Sequence, residues 1–177
     1  MFDRWWDAFI SHSSKDHWAA NEAREALENT GLQCWIAPRD VAPGADWPTA
    51  IIEGLAASRV VVLLLSNNAI NSAQVQREVT RASESEKAIV TLRIDDVAPA
   101  GGLAFFLSGK QWIDGTRRPL RTSLSPLVDA VHGILRGAPM LRSQVQPALQ
   151  LREVQEFDLD DLSRRSWKVA RRPKGGT

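Results

Sequence analysis

The sequence predicts a doubly wound parallel α/β domain, and three observations carry that prediction. Short apolar runs alternate with longer stretches whose apolar residues recur at helical spacing. One run, "RVVVLLLS" (Arg59–Ser66), is apolar at successive positions, as a strand is when helices cover both faces of its sheet. The connections are short, which fits parallel strands joined by helical crossovers.

Each element has its own signal. Trp6–Ser11 is a short apolar run and reads as the first strand. Ser14 is the expected cap of a helix over Lys15–Thr30, with Trp18, Ala19, Ala23, Ala26 and Leu27 near one face and Gly31 as its stop. "LQCWI" (Leu32–Ile36) is a second strand. Residues 37–47, "APRDVAPGADW", hold two prolines and a glycine and form a loop. A helix follows from about Pro48, a good first-turn residue, to Ala57. After the central strand, Val75, Val79 and Ala82 share one face of another helix. Ala88–Ile94 is a fourth strand, "DDVAPAGG" a loop, "KQWID" an edge strand and Ser123–Leu135 a last helix. The domain is expected to end near Gly137. Residues 138–177 form an extension interrupted by Pro139 and Pro147, in which Leu159, Leu162 and Trp167 can share the side of a short helix. Its end, "RRPKGGT", reads as a disordered tail or a linker.

Composition narrows the function. With 44% apolar residues in 177, the chain can build a full core. The formal charge is +1, so no global attraction to nucleic acid or acidic lipid is expected. Six basic groups and no acid lie in residues 163–177, leaving 16 basic against 21 acidic residues in 1–162. The single cysteine, Cys34, excludes an internal disulfide and a cysteine-based zinc cluster, which suits a reducing compartment. The N-terminus lacks a signal-peptide pattern, and "VVVLLL" is far shorter than the roughly 20 residues that cross a bilayer. A soluble, cytoplasmic protein without direct nucleic-acid or membrane binding is the expectation.

Ligands of an open parallel sheet gather outside the carboxyl ends of its strands. Ser11–Ser14, the 37–47 loop and Ser66–Asn68 all follow strands and are expected at one edge. Phosphate-cradling glycine motifs and a nucleophile elbow are absent. Asp7 lies at the start of its strand, which argues against a phospho-acceptor site, and His12, His17 and His132 lack zinc-ligand spacing.

Three blocks, "DAFISHSSKD", "LQCWIAPRDVAPGADW" and "VVVLLLSNNAINSAQVQREV", resemble the Toll/interleukin-1 receptor (TIR) domain of the bacterial, NAD-cleaving type, over residues 5–136. The resemblance implies a flavodoxin-like, five-stranded parallel sheet with helices on both faces. It makes 37–47 the loop used for assembly and for closing over ligand. It also implies an NAD⁺ glycohydrolase, with a cyclic ADP-ribose isomer as a further product, in antiphage defence or as an effector. NAD⁺ is then a substrate, and no cofactor or metal is implied. The different-class alternative is a non-catalytic TIR–TIR adaptor acting through the 37–47 loop. Family enzymes are often activated by self-association, and the 138–177 extension is a candidate docking segment for an activating partner.

The residue matching the family's catalytic glutamate is Glu78. Glycosidases usually need two carboxylates, one as the acid for the leaving group. Nicotinamide leaves NAD⁺ neutral, so one carboxylate suffices to stabilise the oxocarbenium-like centre. Beside the core-facing Val79, Glu78 is expected at a partly desolvated rim; the plain alternative is a surface glutamate paired with Arg77 or Arg81. The resemblance further places Ser11 and His12 at the ligand, Arg39 on its pyrophosphate and Trp47 against a base, with loop anchoring or core packing as the alternative for Arg39 and Trp47. Trp35, within a strand, is expected in the core, and Ser66, Asn67 and Asn68 are expected at the pocket floor or in a turn. One departure stands out: many NAD⁺-cleaving members carry tryptophan one helical turn before the glutamate, and this chain has Gln74.

Overall fold

In the computed structural model, residues 5–109, 111–137 and the backbone of 146–147 are described. Five strands form a parallel sheet: β1 (Trp6–Ser11), β2 (Cys34–Trp35), β3 (Ser58–Leu65), β4 (Ala88–Arg93) and β5 (Gln111–Asp114). Their spatial order is β2-β1-β3-β4-β5, the doubly wound arrangement expected. A two-residue strand, β6 (Gln146–Pro147), pairs antiparallel with β5, so β5 is not the free edge the sequence suggested.

The helices are α1 (His17–Glu28), α2 (Trp47–Ala56), α3 (Asn67–Ile70), α4 (Ala73–Glu84), α5 (Gly101–Leu107) and α6 (Ser125–Leu135). The central strand shows why its sequence is apolar throughout. Val60, Val62 and Leu64 point to one face and join the core made with Ala19, Ala23 and Leu27 of α1 and Leu127 and Val131 of α6. Leu63 and Leu65 point the other way, to Val75 and Val79 of α4 and Leu103 and Leu107 of α5. Val61 meets Phe9, Trp35 and α2 on that same side. Alternation along the strand thus serves two cores, and each fully buried valine or leucine stabilises the fold by about 1.5–3 kcal/mol.

Several local expectations need correction. Ser14 does not cap α1: a 3-10 turn (Ser14–Asp16) precedes it, capped by Ser13, whose hydroxyl accepts from the Lys15 amide, and Asp16 stands at the start of α1 without a side-chain cap bond. Trp18 does not join the buried face of α1; it is 46% exposed, with the Arg118 guanidinium 4.6 Å above its ring. The second strand shrinks to two ladder residues, because Ile36 already turns towards Asp40, whose carboxylate accepts its amide. The helix α5 begins inside the expected glycine loop. Glycines at its first two positions signal a breaker, and seven residues are too few to show a period. Apart from β6, the proposed extension 138–177 lies outside the described residues.

Candidate functional site

Alternation in β1 sends Ala8 and Ile10 towards α1 and α6, and Phe9 and Ser11 towards α2 and α4. Ser11 therefore meets the helix that carries Glu78. Its hydroxyl donates to Glu78 Oε2 at 2.5 Å, and the Gln74 amide, one turn earlier on α4, donates to Oε1 at 2.9 Å. Glu78 is only 6% exposed. It lies deeper than the rim position the sequence suggested, and among the described residues no ion pair joins it to Arg77 or Arg81. Burial pushes its carboxyl above the ordinary range; the hydrogen bonds from Ser11 and Gln74, and the field of Arg77, oppose that rise.

Glu78 opens onto a cavity of about 450 Å³ at the carboxyl end of β1. On one wall stand Gln74 and Glu78; facing them on α2 stand Trp47 and Ile51, each pair one helical turn apart. Phe9, Trp35, Ala37 and Pro38 close the side towards β2. His12, Ser14 and His17 line the remaining side. Among the described residues no lysine or arginine lines this space; Arg77, whose field reaches Glu78, borders the neighbouring hollow.

His12 Nδ1 lies 3.3 Å from the Ile10 carbonyl oxygen, and its ring is 5.8 Å from that of His17. Burial, aided by the neighbouring His17, lowers the His12 pKa, although the Ile10 carbonyl and Asp16 pull against this. The ring is therefore neutral at pH 7. Trp47 is held at the first position of α2 by Asp46, whose carboxylate accepts from the Thr49 amide and hydroxyl. Trp35 is core and wall at once: it is 4% exposed and stacks on Phe9 with centroids 4.8 Å apart.

Three sequence assignments fare differently. Ser11 is fully buried and does not line the cavity; its hydroxyl is on Glu78 rather than open to a ligand. Arg39 points away, pairing with Glu28 and Asp40 and donating to the Cys34 carbonyl, so it anchors the loop. Ser66 and Asn68 do not form the floor either. They donate to the buried Asp16 at 2.5 and 2.7 Å, tying the start of α1 to the end of β3. Sequence reasoning missed Phe9 and Ile51 as cavity walls. Strand alternation from Ser11 and helical spacing from Trp47 point to both.

The family model described as the TIR domain matches residues 8–125. Among solved structures the chain is similar to the TIR domain of the Toll-related receptor TRR-2 from Hydra magnipapillata. The TM-score is 0.58 at 16% identity, covering 75% of this chain and 97% of that one. It is also similar to a metazoan TIR-STING receptor from C. gigas in complex with 2',3'-cGAMP, with a TM-score of 0.52 at 20% identity over 75% of this chain and 45% of that one. A second structure of the C. gigas receptor gives a TM-score of 0.51 at 19% identity, covering 68% of this chain and 40% of that one. At such identities the likeness is one of fold. No curated protein matches the chain. With two thirds of its length matched by the family model and its sheet in the same architecture, the chain belongs to the TIR domain family.

Proposed function

We propose that this TIR domain is an NAD⁺ glycohydrolase that breaks the nicotinamide–ribose bond with Glu78. The observation that supports the reading most is a buried carboxylate without an ion pair among the described residues, opening onto a cavity that no lysine or arginine lines. Such a site favours the cationic nicotinamide ring, the part of NAD⁺ that must lie beside Glu78. As the C1′–N bond breaks, its electron pair moves to the ring nitrogen and nicotinamide leaves neutral. Positive charge then gathers on the ribose, where Glu78 stabilises it in a water-poor setting. Water adds to C1′ and gives up a proton, forming ADP-ribose; capture by the adenine of the same molecule forms a cyclic isomer instead. The neutral His12 adds no repulsion to the incoming cation. Trp47 offers an aromatic wall, which supplies some of the ring surface that Gln74 lacks.

The test is incubation of the 177-residue chain with NAD⁺ and chromatography of the products. Free nicotinamide with ADP-ribose, linear or cyclic, supports the reading, and intact NAD⁺ at all protein concentrations rejects it. A second reading, a non-catalytic adaptor that binds other TIR domains, is favoured by Trp47 and Ile52, 43% and 46% exposed beside the 37–47 loop. A protein that self-associates without consuming NAD⁺ fits that reading alone.

A further inference from the structure

A single carboxylate that acts through its field must stay ionised, must point at the reacting centre, and must not be cancelled by a nearby cation. Glu78 is held by two donors and makes no ion pair among the described residues, although the field of Arg77 reaches it. Ser11 reaches it from the last residue of β1, and Gln74 from one turn earlier on α4, each donor taking a different oxygen. Neither donor carries charge. A lysine or arginine in their place would hold the carboxylate equally well and neutralise it.

We propose that Ser11 and Gln74 are positioning residues, a two-armed holder that sets the plane of the Glu78 carboxylate towards the cavity and keeps its negative charge. This rests on the glycohydrolase reading for its purpose, but the holder itself can be tested without turnover. The oxygens bonded by Ser11 and Gln74 are distinct, so rotation about the last side-chain bond of Glu78 breaks both bonds. Ser11 lies in the ladder between β1 and the central strand β3, where its Cα partner is Leu63. The arm on that side is therefore rigid, whereas Gln74 is partly exposed at the cavity wall. The division fits a fixed anchor on one oxygen and an arm on the other that a ligand hydroxyl can displace.

Burial works against ionisation of Glu78, and the two donors, with a smaller contribution from the field of Arg77, favour its charged form. The other charged or titratable groups near it are His12 and His17 across the cavity and Arg77 and Arg81 along α4. The side of α2 that faces it presents Trp47, Pro48, Ile51 and Leu55, none charged.

The experiment is a carbon-13 NMR titration of the Glu78 side-chain carboxyl in the wild type, Ser11→Ala and Gln74→Leu, assigned with Glu78→Gln. Each variant should titrate at higher pH than the wild type, by about one unit for loss of one hydrogen bond to a charged acceptor. If NAD⁺ is cleaved, the acid limb of the kcat profile for Ser11→Ala should move up with the titration while KM stays unchanged, because Ser11 does not touch the cavity. Should Ser11→Ala not fold, Gln74→Leu at the exposed arm carries the titration alone. Folded variants that titrate Glu78 at the wild-type midpoint overturn the holder. A shifted midpoint in a protein that releases no nicotinamide leaves the holder standing and rejects the reaction assigned to it.

Discussion

Glu78 combines near-complete burial with hydrogen bonds from neutral donors, and this combination has a thermodynamic signature. Its carboxyl is raised by burial, so the folded state holds its proton more tightly than the unfolded chain does. The stability that this proton contributes is fully present below the ordinary glutamate value and is lost as pH rises through the raised one. Glu78→Gln keeps the shape without the titration, and the Gln74 amide can turn its oxygen to accept from the new side chain. The variant should therefore gain stability relative to the wild type as pH rises from 4 towards 8, measured as urea midpoints; His12, common to both proteins, cancels in the difference. A stability difference that does not vary with pH would contradict the buried carboxylate. Trp47 makes a second residue-scale claim. Stacking on an aromatic ring is worth roughly 1–3 kcal/mol per nucleobase, so Trp47→Ala should raise KM for NAD⁺ by roughly tenfold in steady-state assays with kcat less affected. An unchanged KM would remove Trp47 from the ligand. The place of Glu78 on a helix beside Val79 was legible in the "QVQREV" block, but its depth was not. Helical period places it beside Val79; the strand residue that covers it is 67 positions away in sequence.

At the scale of elements, the cavity wall depends on how closely α2 approaches β2. Gly54 makes that approach possible: a methyl group at this position would fall on the Trp35 indole, with Cδ2 at 2.6 Å. Trp35 cannot retreat, because Phe9 is stacked behind it. Gly54→Ala should destabilise the protein by about 1–3 kcal/mol, the usual effect of overpacking a core, and should raise KM by moving the wall. Urea denaturation and NAD⁺ kinetics check both effects; wild-type behaviour in each would mean that the helix is free to shift. The same scale shows where sequence reading succeeds and fails. The strand β3 and the buried face of α4 were legible because their apolar patterns run long enough to show a period. Helix α5 was not, since "GGLAFFL" opens on two glycines. Trp18 was misplaced because hydrophobicity alone does not reveal that Arg118, 100 positions later, covers its ring. The resemblance put Arg39 on a pyrophosphate, with loop anchoring as the alternative; its guanidinium pairs with Glu28 and Asp40, which fits the anchor.

For the whole molecule, order β2-β1-β3-β4-β5 gathers the ends of β1 and β2 and the starts of α2 and α4 around one cleft. Beside that cleft, Trp47, Ile52 and the Pro43-Gly44 tip of the 37–47 loop are exposed, the surface that the adaptor reading would use. If association completes the site, specific activity follows mass action and should fall on dilution over about a hundredfold range. Activity per molecule that stays flat while light scattering reports only monomer would reject assembly as the trigger. The kinetic expectations all require that one carboxylate drives the cleavage. The most direct measurement is the initial rate of nicotinamide release by wild type and Glu78→Gln at the same high protein concentration, with near-ultraviolet circular dichroism to establish that both are folded. The account predicts a fall on the order of 10²–10³ for the variant, as expected when a charge aimed at the transition state is removed. Near-wild-type release by folded Glu78→Gln would contradict it.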